Sequence, residues 1–95
     1  MYKYTREELL EEGMEDKAIK AFLQLQSMGC PVKTWYHGDR GHFWIDAEEH
    51  GASEFLDYWS MNDLMCGSQV LNDVLSHNGL YFEWQNSAVA CVYNI

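Results

Sequence analysis

The sequence predicts an α+β fold: an antiparallel sheet of about four strands, made of two hairpins, with helices packed on one face. The expected order is helix, hairpin, helices, hairpin. Three observations predict it. Capped, amphipathic helical stretches end at glycines. Two stretches rich in aromatic and β-branched residues fold back around short polar turns. The last of these stretches is nearly all apolar. With 95 residues the chain is one domain by length, spanning 1–95.

The first helix opens at Thr5. The run Thr5-Arg6-Glu7-Glu8 is a capping box, in which Thr5 accepts a first-turn N–H and Glu8 reaches back to the N–H of Thr5. Glu7, Glu8, Glu11 and Glu12 suit the positive end of a helix dipole. Gly13 weakens the helix by about 1 kcal/mol relative to Ala and is expected to split the stretch in two. Residues 14–28 then carry Ala18, Phe22, Leu25 and Met28 at helical spacing, with Ile19 and Leu23 beside them. Gly29 and Pro31 stop this helix.

Residues 32–37 and 42–47 read as a hairpin around Gly38-Asp39-Arg40-Gly41. Both of its faces carry aromatics, with Trp35 and Trp44 the largest, so one face meets helices and the other presents an aromatic surface. Residues 48–60 read as helical, with Ser53 as a cap and Phe55, Leu56, Tyr58 and Trp59 as apolar positions. Residues 62–77 read as a further helix or its continuation, striped by Leu64, Leu71, Val74 and Leu75 with Val70 alongside. Asn78-Gly79-Leu80 terminates it. Residues 80–85, a turn near Asn86-Ser87 and residues 88–95 form the second hairpin. Its last strand is apolar on both sides, which predicts a central strand whose truncation would be destructive.

Composition is that of a folded chain, with 47% hydrophobic residues, 15% aromatics and one proline, unlike a disordered sequence. The N-terminus shows no apolar leader and no run is long enough to span a bilayer. Cys30, Cys66 and Cys91 are odd in number and far apart, which predicts buried free thiols in a reducing, cytoplasmic setting.

Charge is the sharpest signal. The net charge is −9. Residues 1–40 hold all six Lys and Arg against seven acids, whereas residues 41–95 hold eight acids and no Lys or Arg. A direct nucleic-acid ligand needs a basic footprint, so it is not expected. A basic protein partner is favoured, because complementary potentials steer encounter. The bland alternative is that the acids only keep a small protein dispersed.

His37, Asp39 and His42 flank the first turn and His50 follows, but no recognised metal spacing is present. No Gly-x-Ser-x-Gly elbow or other nucleophile signature occurs, and Gly38 to Gly41 lacks the Lys and helix of a phosphate loop. The sequence therefore predicts no enzyme, no cofactor and no metal site. The segment 46–63 is different: Asp46, Glu48, Glu49, Glu54, Asp57 and Asp63 are interleaved with Phe55, Tyr58 and Trp59. Acids beside exposed aromatics make a plausible protein-binding surface. The expected partner-binding set is Asp46, Glu48, Glu49, Glu54, Asp57, Tyr58, Asp63, Trp35 and Trp44. In size and acidity the chain is similar to phage inhibitors of host defence, including anti-CRISPR and DNA-mimic types, and to immunity proteins. That is a likeness of composition, carried by no motif. The expectation is an inhibitor of a basic, nucleic-acid-handling protein. The alternatives are an immunity protein or antitoxin neutralising a basic toxin, and a homo-oligomeric assembly subunit joined through Trp35 and Trp44.

Overall fold

The computed structural model describes residues 3–34, 41–49, 51–56 and 68–95. Among them the chain forms α1 (Arg6–Glu11), α2 (Asp16–Ser27), β1 (Val32–Lys33), β2 (Phe43–Asp46), a single 3-10 turn (Ala52–Glu54), α3 (Gln69–His77), β3 (Leu80–Asn86) and β4 (Val89–Asn94). The four strands make one antiparallel sheet in the order β1-β2-β4-β3. This is the α+β class the sequence predicts.

The Thr5 capping box forms as expected, with both reciprocal bonds present. Gly13 adopts φ 82 and separates α1 from α2. Arg6 then ties the two helices by an ion pair to Asp16 at 2.6 Å. α2 buries Ala18, Ile19, Ala21, Phe22 and Leu25. Phe22 meets Tyr4 edge-on at 5.2 Å and Phe43 of β2 at 5.1 Å. One side chain thus joins the N-terminal segment, a helix and the sheet. Full burial of such a ring is worth about 1.5–3 kcal/mol.

The strand registers place Phe43, Val92 and Phe82 in one row and Ile45 and Ala90 in another, all on the face that meets the helices. β4 lies between β2 and β3, and its Ala90, Cys91 and Val92 are all buried. Consecutive burial requires cover on both faces of a strand, so the apolar run in the sequence marked the central position correctly. Gly41 enters β2 at φ 82, and a Cβ there would collide with the backbone oxygen of Val92. Only glycine lets the chain pass so close to β4.

Two helix expectations are corrected. Residues 48–49 and 51–56 do not form an α-helix but turns and the 3-10 turn, and the rest of the expected 48–60 helix lies outside the described residues. Asp46 Oδ1 accepts the N–H of Glu48 at 3.0 Å, and Gly51 sits at φ 89. Side-chain capture of a backbone N–H and a left-handed glycine both oppose helix propagation. The expected continuous helix over 62–77 is interrupted at Ser68, which is extended (φ −71, ψ 160) and caps α3 through Leu71 N–H; residues 62–67 lie outside the described residues. Within α3, Leu71, Val74 and Leu75 are buried, as the stripe predicts, whereas Val70 beside it is exposed and Leu64 lies outside the described residues. Gly79 takes φ 72 and Leu80 is buried behind it. Among the described residues no helix is long and apolar enough to cross a membrane.

Candidate functional site

The acidic segment starts at the end of β2. Asp46 is anchored by its own N–H to the carbonyl of Pro31 at 3.0 Å, and the next residue donates to Ala88 O at 2.8 Å. The turn that carries Glu48 and Glu49 is therefore pinned to both sheet neighbours. Phe55 and Leu56, buried at 5% and 2% exposure, anchor its far end in the core.

The acids on this turn divide into two kinds. Asp46 and Glu49 turn toward Lys33 of β1, whose Nζ lies 2.9 Å from Asp46 Oδ2 and 2.9 Å from Glu49 Oε2. The same ammonium lies 5.5 Å from the Trp44 ring centroid. The Asp46 hydrogen bond first, and the Glu49 contact second, hold the Lys33 pKa above its ordinary value. Trp44 Nε1 donates to Thr34 O at 3.2 Å, fixing the ring across the β1–β2 pair. Glu48 and Glu54 are exposed, and no ion pair involves either among the described residues.

The expected surface is thus brought together in part. Asp46, Glu48, Glu49 and Trp44 share one end of the sheet, but Asp46 and Glu49 are committed to Lys33, and Trp44 is half-buried. Glu54 follows on the 3-10 turn. Asp57, Tyr58, Asp63 and Trp35 lie outside the described residues, as do His37, Asp39, His50, Trp59 and Cys66. Lys33 was missed as a member of this cluster. Its signal was the strand register, which sets Lys33 opposite Trp44.

A second group was also missed. On the sheet face away from the helices, Tyr81 and Glu83 of β3 stand beside Tyr93 and Cys91 of β4. Tyr81 Oη donates to Glu83 Oε1 at 3.0 Å, and the Tyr81 and Tyr93 rings lie 5.9 Å apart. That bond to Glu83 raises the Tyr81 pKa, while burial, ahead of the Cys91 neighbour, raises that of Tyr93. The alternation Leu80, Tyr81, Phe82, Glu83 was the available signal.

The other reactive groups have structural partners. His42 Nε2 lies 2.8 Å from Asn94 Oδ1 and 4.0 Å from Glu15 Oε2. Among the described residues no group of three or more His, Cys, Asp or Glu is placed to hold a metal. Burial pushes the Cys30 thiol up to about 12, so it is not a thiolate at neutral pH. Cys91 Sγ donates to Gln85 Oε1 at 3.4 Å.

Compared with protein-family models, curated proteins and solved structures, the chain matches none.

Proposed function

We propose that this chain is a non-enzymatic binding protein that inhibits a basic, nucleic-acid-handling protein by occupying its phosphate-binding surface. The observation that carries this reading is the absence of Lys and Arg after Arg40, with eight acids in the same stretch. The geometry adds support. Lys33 offsets two carboxylates at the end of the sheet but leaves Glu48 and Glu54 exposed on a turn anchored by Phe55 and Leu56. An outward acidic turn anchored at both ends presents negative charge at a reduced ordering cost on binding. Docking on a basic groove would substitute these carboxylates for phosphates. Host-defence nucleoproteins, as targets of phage-encoded inhibitors, have the required chemistry. A basic toxin neutralised by an immunity protein or antitoxin has it too.

The test is affinity capture from host lysate at low and high salt, with the wild-type chain and with Glu48→Lys/Glu54→Lys. The expected result is a stoichiometric, basic, nucleic-acid-binding protein that is lost at high salt and weakened about tenfold or more by the double reversal. Capture that survives both high salt and the reversal refutes the reading. Recovery of the chain alone as a salt-resistant oligomer refutes it in favour of an assembly subunit.

A further inference from the structure

Strand β3 forms an edge of the sheet, and among the described residues it pairs only with β4. Its seven residues, Leu80–Asn86, make it the longest strand among the described residues. Every second residue of an edge strand turns its N–H and C=O away from the sheet, which templates a further strand. Such edges are commonly blunted by Lys or Pro, and β3 has neither: it reads Leu-Tyr-Phe-Glu-Trp-Gln-Asn. A register irregularity falls between Trp84 and Asn86, leaving the regular ladder from Leu80 to Trp84.

The charge on this edge selects its occupant. Tyr81 and Glu83 share the face away from the helices, and Tyr81 is 37% exposed. A tyrosine ring beside a carboxylate suits a guanidinium or ammonium, which can stack on the one and pair with the other. Among the described residues no ion pair involves Glu83, so that cation is left for a partner to supply. A second copy of the chain is a poor occupant, since its β3 brings another Glu83, no cation, and the same net charge of −9.

We infer that β3 is a strand-addition site for an extended, basic segment of a partner protein, with Arg or Lys placed across from Glu83 beside Tyr81. Backbone bonds to the outward groups of β3 give affinity, and the alternate side chains give specificity. The incoming segment carries basic residues at every second position, facing Tyr81 and Glu83, and apolar β-branched residues between them. This rests on the proposed preference for a basic partner and adds a second contact on β3, apart from the one proposed at Glu48 and Glu54.

The experiment uses the full chain and a short fluorescein-labelled peptide alternating Arg and Val, with an alternating Glu and Val peptide as control. Anisotropy measures affinity, and amide NMR with hydrogen exchange locates the contact. The Arg peptide is expected to bind while the Glu peptide does not, and alternate amides across Leu80–Trp84 should shift and slow in exchange. Glu83→Lys is expected to weaken binding about tenfold. Glu48→Lys, matched in charge change, leaves it within about twofold. Circular dichroism establishes that both variants are folded. No binding of the Arg peptide overturns the inference, as does binding indifferent to Glu83→Lys. If the peptide instead perturbs residues 46–54 and responds to Glu48→Lys, the edge site is overturned while the acidic-surface reading stands.

Discussion

Lys33 does at residue scale what no other described cation does here: it joins β1 to the acidic turn. Glu49 Oε2 is shielded from solvent, and among the described residues its ion pair with Lys33 at 2.9 Å is what offsets its burial. Removing the ammonium leaves that oxygen without compensation and takes the Lys33 donor from Asp46 Oδ2. Lys33→Met is therefore expected to lower stability by about 1–2 kcal/mol at low salt, and less at high salt because the cluster is partly exposed. Urea denaturation at two ionic strengths measures this. Adding Glu49→Gln to the variant should recover part of the loss. A Lys33→Met midpoint equal to wild type would show the cluster to be energetically idle.

At the scale of elements, the sheet depends on a close approach between the start of β2 and β4. Gly41 is where the chain turns into β2, and His42 N–H donates to Val92 O at 2.8 Å. Gly41→Ala would put a methyl into that same carbonyl at a backbone angle that L-residues avoid. The expected cost is about 2–3 kcal/mol, a large share of what a small domain has. In contrast, Gly29→Ala meets no atom within 4 Å and suffers only the strain of φ 89, about 1 kcal/mol. Thermal melts of the two variants should separate them in that order. The opposite order would mean that β2 can move away from β4 without loss.

At the scale of the whole molecule, four described groups shift in the same direction. Cys30, Lys33, Tyr81 and Tyr93 all hold their protons more tightly in the folded chain. A raised folded pKa contributes stability that is complete below the unfolded value and is lost as pH rises through the folded one. The fold is thus expected to weaken on the alkaline side, with the Cys30 contribution falling away between its ordinary 9.0 and about 12. Melting temperature measured against pH should fall through that window, and more shallowly for Cys30→Ala. A flat profile would contradict the burial of that thiol. The proposed partner binding is also a whole-molecule property, since it depends on the field of a chain with net charge −9.

Local chemistry made much of this protein legible in its sequence. The Thr5 box, the break at Gly13, the stop at Gly79 and the hairpin pattern of β3 and β4 are each decided within a few residues. The run from Val89 to Val92 announced a central strand because burial on both faces needs apolar residues at consecutive positions. The helix expected after Glu48 failed because the Asp46 side chain and Gly51 competed for the backbone, and periodicity does not register that competition. The candidate site was less legible for a different reason. Counting charges showed an acidic half, but only strand register could turn Asp46 and Glu49 inward to Lys33 and leave Glu48 outside. The sequence by itself determined element type, fold class and charge, because these follow from neighbouring residues and from composition. Tertiary structure alone decided which carboxylates are already paired and that β3 forms an edge of the sheet, because both depend on contacts between residues distant in the chain.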